Sequence, residues 1–276
     1  MTAERPSPAS LPREPLARLL AVMAWLRDPK QGCPWDIEQN FRTIAPYTIE
    51  EAYEVADAIE RHDMPALKEE LGDLLLQVVY HAQMASEAKA FTFAEVAAGI
   101  ADKMVDRHPH VFGDTTIATA DAQTASWEAR KAAERAAKAG AGASAGTLDG
   151  IARALPALLR AEKLQRRAAR VGFDWKTTGP VLDKIEEEIG ELRVELAAGQ
   201  PDPAHVADEL GDILFAMANL ARHYKVDPEA ALRSTNDKFE RRFRYIEKKL
   251  AEQGRKPADA TLDEMEALWQ AAKTAA

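Results

Sequence analysis

The feature that most constrains the fold of this chain is a short motif that occurs twice, each time inside an apolar helical stretch. Residues 70–75 read ELGDLL, and residues 209–214 read ELGDIL. Burying the aspartate of such a run is costly unless the carboxylate is hydrogen-bonded, neutralised or bound to a cation. The glutamate three residues earlier lies on the same helix face. Each motif therefore predicts half of a metal site on a buried helix face.

The other half of each predicted site lies upstream, as a pair of glutamates with the same i, i+3 spacing. In both copies the upstream and downstream acids are equidistant from a turn signal, at residues 62–65 (HDMP) and 199–203 (GQPDP). Two antiparallel helices joined at each turn would bring the acids of one copy to one level. The predicted metal ligands are Glu51, Glu54, Glu70 and Asp73 in the first copy, and Glu188, Glu191, Glu209 and Asp212 in the second.

The repeated pattern predicts two tandem domains. Glu70 and Glu209 lie 139 positions apart, and a run of small residues over 136–146 has the composition of a linker. Helical periodicity with few β-branched runs predicts an all-α fold of duplicated helical bundles. We expect a flexible tail over 1–15, domains over 16–135 and 149–276, and a linker over 136–148.

Helix boundaries follow from the apolar periodicity and from capping signals. Residues 48–51 (TIEE) match a capping box, which predicts a helix that begins near residue 47. Gly72 and Gly211 are unfavourable inside helices, and the close approach of a partner helix or a ligand would explain them. The predicted helices cover residues 13–28, 47–61, 64–88, 93–108, 149–170, 180–198, 203–224, 228–253 and 261–274.

A later helix of each half carries a lysine and an arginine one turn apart, followed by a tryptophan. Such a basic pair can contact several phosphate oxygens, and an indole offers a flat surface to a base. Together with the acids these residues predict a site for a metal, a polyphosphate and a nucleobase. The residues are Lys103, Arg107 and Trp127 in the first half, and Asn236, Lys238, Arg242 and Trp269 in the second.

Composition argues against nucleic acid as the ligand, against a disulfide and against a membrane span. Acidic residues outnumber basic ones, 45 to 36, for a net charge of −9, which argues against nucleic acid as the main ligand. Cys33 is the single cysteine, so no intrachain disulfide forms, and a reducing cytoplasm is the simplest expectation. No apolar run approaches the ~20 residues that a membrane span needs.

Several sequence motifs identify a family. The two acidic blocks, together with residues 32–36 (GCPWD), 107–112 (RHPHVF), 170–175 (RVGFDW) and 236–243 (NDKFERRF), resemble the MazG family of nucleoside triphosphate pyrophosphohydrolases in its two-domain form. The resemblance covers about residues 16–274. It implies all-α domains that dimerise, Mg²⁺ on the carboxylates, with Mn²⁺ as a substitute, and hydrolysis of a triphosphate to monophosphate and pyrophosphate.

The resemblance also implies roles for single residues. Glu188, Glu191, Glu209 and Asp212 match metal ligands, and Glu188 or Glu191 would orient the attacking water. Positions that match substrate contacts are Lys184, Lys238, Arg242 and Trp269. The first half has Ala101 in place of Asn236, so we expect turnover in the second half.

Three alternatives remain open at this point. A dUTP- or phosphoribosyl-ATP-type pyrophosphohydrolase would use the same scaffold, and a substrate panel separates these. A di-iron carboxylate bundle needs a histidine three residues after a glutamate, and the acidic motifs lack one. A helical nucleotide sensor without turnover fits the first half best. The main hypothesis is a cytoplasmic, homodimeric enzyme that clears unwanted nucleotides.

Overall fold

The computed structural model describes residues 7–116, 119, 123, 127, 130 and 146–274. These residues form α-helices and short 3-10 turns without a β-strand, which confirms the all-α prediction. The chain divides into two compact units, Met1–Arg130 and Lys131–Ala276. Residues 136–145 of the predicted linker lie outside the described part, so the domain boundaries stay predictions.

The first unit is built around a helical hairpin. Helices α3 and α4 pack along each other, α1 packs on α4, and α5 contacts both α4 and α6. Met23, Ile44, Val79, Tyr80 and Met84 form its buried core. Burying this apolar surface is the main force that holds the hairpin against α1. The helices are α1 (Pro15–Leu26), α2 (Pro34–Glu38), α3 (Phe41–Glu60), α4 (Met64–Glu87), α5 (Phe93–Arg107) and α6 (Pro109–Phe112).

Helix α3 begins six residues before the predicted position, and the capping box predicted at residues 48–51 is wrong. The cap is Asn40, whose Oδ1 accepts from the amides of Arg42 (3.0 Å) and Thr43 (3.3 Å). Thr48 lies inside the helix, with its hydroxyl 3.0 Å from Nε2 of His81. Pro46 lies in the second turn of this helix, where it removes one intrahelical hydrogen bond without ending the helix. Glu51 therefore has no capping role.

The second unit repeats the hairpin. Helices α8 and α9 pack along each other, α7 packs on α9, and α10 packs on α11 and α7. Val181, Ile185 and Ala216 form its buried core, with Leu220 against it. The helix predicted to begin at 149 begins eight residues later, after Pro156. The helices are α7 (Ala157–Ala169), α8 (Gly179–Ala197), α9 (Pro203–His223), α10 (Pro228–Ala251) and α11 (Leu262–Thr274).

The two hairpin turns are closed in the same way. Asp63 caps α4 by accepting from the amide of Ala66 at 3.1 Å, and Asp202 caps α9 by accepting from the amide of Ala204 at 2.9 Å. An aspartate cap satisfies amides that the first helical turn leaves unpaired. Because both turns lie midway between the acidic pairs, each hairpin brings its acids towards one level, as the sequence predicts.

Candidate functional site

The second hairpin brings three carboxylates together. Glu188 on α8, with Glu209 and Asp212 on α9, offer oxygen atoms that all lie within 4.8 Å of one another. Glu188 is buried, Glu209 is half-buried and Asp212 is exposed. We call these residues the second-unit cluster. Three negative charges so close together repel one another unless a proton or a cation offsets them.

The surroundings of Glu209 disfavour its ionised form. Burial, followed by the charges of Glu191, Glu188 and Asp212, raises the pKa of the Glu209 carboxyl above its ordinary value. One of its oxygens, Oε2, is shielded from solvent and has no hydrogen-bond partner among the described residues. A shielded carboxylate oxygen without a partner is unfavourable, and a bound cation would satisfy it.

Lys184 borders the second-unit cluster. Its Nζ lies 2.8 Å from Oε1 of Glu187 and 2.7 Å from Oε1 of Glu188. These two contacts, that with Glu187 first, raise the pKa of the Lys184 ammonium. The Lys184 ammonium is therefore held beside the buried acid of the cluster.

The first hairpin has a corresponding group, which we call the first-unit cluster. Oxygen atoms of Glu51, Glu70 and Asp73 lie within 4.8 Å of one another. Burial and the charges of Asp73 and Glu54 raise the pKa of Glu51, and burial and the charges of Glu54 and Asp73 raise the pKa of Glu70. The two copies thus place three of the four predicted acids in the same geometry.

The fourth predicted acid of each copy lies outside its cluster. Glu54 and Glu191 are exposed on α3 and α8, one turn beyond Glu51 and Glu188. Their charges still raise the pKa of Glu70 and Glu209 across the hairpins. In the described residues neither cluster includes a histidine, which gives the di-iron alternative no support.

A cavity of about 810 Å³ opens beside the second-unit cluster. Lys184, Glu188 and Asp212 line one part of it, and the rest combines polar side chains with apolar and aromatic ones, among them Phe173 and Trp175. Residues 170–175 were recognised in the sequence only as a family motif, without a role. The signal that could have revealed the cavity is the concentration of aromatic residues just before the acidic helix α8.

The predicted basic and aromatic residues form similar pairs in both units. The guanidinium of Arg107 lies 4.8 Å from the centre of the Trp127 ring, and that of Arg242 lies 5.4 Å from the Trp269 ring. One face of each indole is thus covered by an arginine of the same unit. Lys103, Asn236 and Lys238 are exposed. Of the predicted second-half substrate contacts, only Lys184 lines the cavity.

The helix face around each acidic motif is exposed in this chain, although the sequence predicted that it would be buried. Leu210, Leu214 and Met217 on α9 are 46%, 53% and 49% exposed. The corresponding residues of α4, which are Leu71, Leu75 and Val78, are exposed too. A Cβ atom added at Gly72 or Gly211 would meet nothing within 4 Å, so no element in the described part of the chain explains these glycines.

Tandem antiparallel helix pairs, each carrying a carboxylate cluster, define a class of duplicated all-α proteins with two acidic sites. The profile of the MazG nucleotide pyrophosphohydrolase domain matches residues 39–112 and 177–246, which contain both clusters. The chain therefore belongs to the MazG family, in its two-domain form, as its motifs predicted.

Two bacterial relatives are similar over almost the whole chain. A nucleoside triphosphate pyrophosphohydrolase of Escherichia coli K12 is 52% identical over 256 residues, which is 93% of this chain and 96% of that protein. A nucleoside triphosphate pyrophosphohydrolase/pyrophosphatase of Thermotoga maritima is 40% identical over 255 residues, 92% of this chain and 94% of that protein. These similarities confirm the prediction that the chain is an enzyme. Within its described residues, none of the helices is both long enough and apolar enough to span a membrane.

Proposed function

We propose that this enzyme hydrolyses nucleoside triphosphates to nucleoside monophosphate and pyrophosphate at the second-unit cluster, with Mg²⁺ as its metal and Mn²⁺ as a substitute. One observation carries the proposal. Glu188, Glu209 and Asp212 converge within 4.8 Å, and two of them line a cavity of about 810 Å³, large enough for a nucleoside. The names of the relatives support the same reaction.

The donor set fits a hard divalent cation. The second-unit cluster offers carboxylate oxygens, which Mg²⁺ and Mn²⁺ prefer, and the shielded Oε2 of Glu209 has no other partner. Glu191, one turn from Glu188, would complete the four ligands when its side chain turns towards the cluster. When bound, Mg²⁺ offsets phosphate charge and lowers the pKa of water that it coordinates.

The residues of the chain would then divide the remaining work. Glu188 or Glu191 would orient the attacking water and accept its proton. Lys184, which lines the cavity 2.7 Å from Glu188, would exchange this contact for phosphate oxygens when the nucleotide binds. Excluding bulk water from the cavity would strengthen each of these charge interactions.

We also propose that the active form is a homodimer. Lys238, Arg242 and Trp269 do not line the cavity, although their chemistry suits a nucleotide. The exposed face of Leu210, Leu214 and Met217, next to the cluster on α9, suits another copy of the chain. Such a copy would also account for the open space at Gly211, and it could bring its own Lys238 and Arg242 to the leaving pyrophosphate.

We propose modest base selectivity and a role in clearing unwanted nucleotides. A dUTP- or phosphoribosyl-ATP-type activity is the alternative, and for the first unit so is nucleotide sensing without turnover. The cytoplasmic location expected from the single Cys33 stays a prediction.

A substrate panel tests the proposed function. Pyrophosphate release is measured from the ribo- and deoxyribonucleoside triphosphates, including dUTP, and from phosphoribosyl-ATP, with Mg²⁺, Mn²⁺ or EDTA. Release from several triphosphates, with either metal and not with EDTA, is the expected result. Activity on dUTP or on phosphoribosyl-ATP alone would favour the alternative. Tight nucleotide binding without any turnover would indicate a sensor.

A further inference from the structure

Two buried amide side chains line the cavity of the second unit. Gln165 on α7 is 9% exposed and Asn219 on α9 is 6% exposed, and both belong to the cavity wall. Neither was predicted from the sequence as part of the site. Their hydrogen bonds show which end of each amide is held by a protein partner.

Gln165 presents an acceptor. Its Nε2 donates to the main-chain carbonyl oxygen of Phe215 at 2.7 Å. A carbonyl oxygen can only accept, so this bond decides which way round the amide lies. The other end, Oε1, is shielded from solvent and has no hydrogen-bond partner among the described residues. A buried acceptor without a partner is unfavourable, and a ligand N–H at the cavity wall would satisfy it.

Asn219 presents a donor. Its Oδ1 accepts from Nε of Arg222 at 3.0 Å and from Nη2 of Arg222 at 2.7 Å. Because a guanidinium only donates, the Oδ1 atom must face Arg222, and Nδ2 is left to donate elsewhere. Arg222 also forms an ion pair with Asp174, which holds it in place beside the cavity.

Both amides adjoin the same stretch of α9. Gln165 is bonded to Phe215, and Asn219 follows Phe215 by four residues on the same helix, one turn along the same face. The aromatic rings of Phe173, Trp175 and Phe215 supply flat apolar surface around them. The acidic end of the cavity, with Glu188 and Asp212, would receive the phosphates.

We propose that this cavity recognises the hydrogen-bonding edge of a nucleobase, with Gln165 Oε1 accepting from a base N–H and Asn219 Nδ2 donating to a base nitrogen or carbonyl. Every standard base presents a donor next to an acceptor on that edge. Adenine and cytosine place an amino donor beside a ring-nitrogen acceptor, whereas guanine and uracil place the two groups in the opposite order. A pair held this way round therefore favours adenine and cytosine and discriminates against a base that lacks the donor. This inference rests on the proposed function for the position of the triphosphate.

The test compares ATP with purine riboside triphosphate, which lacks the N6 amino group of adenine and keeps N1. The wild-type enzyme should show kcat/KM about 5- to 150-fold higher for ATP, the effect of one buried hydrogen bond to Gln165. Gln165→Met keeps the side-chain length and removes the acceptor, so the two substrates should become nearly equal. Gln253→Met makes the same change at an exposed position after α10 and should keep the full preference for ATP.

A third nucleotide tests Asn219 without a mutation. The triphosphate of 1-deazaadenosine keeps the N6 donor and lacks the N1 acceptor. Its kcat/KM with the wild-type enzyme should therefore be about 5- to 150-fold lower than that of ATP. This comparison, and that of the first two nucleotides, uses wild-type enzyme and stands even if Gln165→Met fails to fold, which circular dichroism would reveal.

The outcomes separate this inference from the proposed function. Equal kcat/KM for ATP and purine riboside triphosphate in the wild type would overturn the inference while pyrophosphate release still supported the function. An undiminished preference in Gln165→Met would overturn the assignment to Gln165. If no nucleotide is hydrolysed, the proposed function fails, and the ratio of Kd values for the same nucleotides, from calorimetry with Mg²⁺, decides the inference.

Discussion

Nε2 of Gln77 lies 3.4 Å from Oε1 of Glu51, so that a buried amide adjoins the first-unit cluster. The residue 139 positions later, by the spacing of Glu70 and Glu209, is Ala216, which lines the cavity of the second unit. A large polar side chain thus occupies the first copy at a place where the second copy has a methyl group. This difference supports nucleotide turnover in the second unit.

Giving the second unit the glutamine of the first should lower its nucleotide hydrolysis. Ala216→Gln should lower kcat/KM for ATP about 10- to 200-fold, because a mismatch of even one methylene in a binding pocket costs about 1–3 kcal/mol of transition-state binding. Steady-state kinetics provides the measurement. Ala207→Gln, at an exposed position of the same helix, is the matched control and should stay within about twofold of wild type. Full activity in Ala216→Gln would show that the nucleotide binds elsewhere.

Removing one predicted metal ligand from each cluster in turn should reveal which cluster catalyses pyrophosphate release. Glu209→Gln keeps the side-chain shape and removes the charge, so the second-unit cluster should lose its metal and activity should fall at least about 100-fold. Glu70→Gln makes the same change in the first unit and should leave pyrophosphate release within about twofold of wild type. The reverse pattern would place the catalysis in the first unit.

The Glu209 carboxyl should also link stability to pH and metal. Burial and the neighbouring acids raise the pKa of this carboxyl in the folded chain. Its stabilising contribution to the folded state is therefore complete below the unfolded-state pKa, and it is lost as the pH rises through the folded-state pKa. Without metal, Glu209→Gln should therefore have a higher Tm than wild type at pH 7, and the difference should vanish towards about pH 4.

Added Mg²⁺ should reverse this order at pH 7. Binding to the folded state stabilises wild type, whereas the variant lacks a ligand and gains less. Thermal unfolding followed by fluorescence, across pH with Mg²⁺ and with EDTA, supplies both comparisons. A metal-free Tm of the variant that stays below that of wild type at every pH would contradict the predicted repulsion at Glu209.

The exposed apolar face of α9 predicts a dimer contact. Leu214→Glu places a charge in the middle of that face and should convert a dimer to monomer, with loss of activity if Lys238 and Arg242 act across the contact. Sedimentation equilibrium and pyrophosphate release are measured together. Leu262→Glu, at a position that is 76% exposed on α11, should leave both unchanged. Wild-type mass equal to that of one chain would contradict the dimer.

Much of the fold could be predicted from the sequence because the acidic motifs and turns repeat with nearly constant spacing. The hairpins and the convergence of Glu188, Glu209 and Asp212 follow from helix periodicity and the position of the turns. The start of α3 could not, because a proline early in a helix resembles a breaker. The roles of Gln165 and Asn219 could not either, since they depend on hydrogen bonds between α7 and α9 and within α9 that no local pattern records.

The exposed face around the motifs shows a different limit. Apolar periodicity on α4 and α9 indicates a hydrophobic helix face, but it does not show which molecule covers that face. The sequence therefore predicted burial within the chain, and the structure leaves Leu75 and Leu214 exposed. A second copy of the chain that covers this surface would reconcile the predicted burial with the observed exposure.

The most direct test of the central claim is phosphorus NMR of the products formed from ATP by wild type and by Glu209→Gln. Wild-type enzyme with Mg²⁺ should produce AMP and pyrophosphate together, with neither product in EDTA and almost none from the variant. ADP and orthophosphate as first products would contradict cleavage next to the α-phosphate. AMP and pyrophosphate formed at the wild-type rate by Glu209→Gln would contradict the assignment of the reaction to the second-unit cluster.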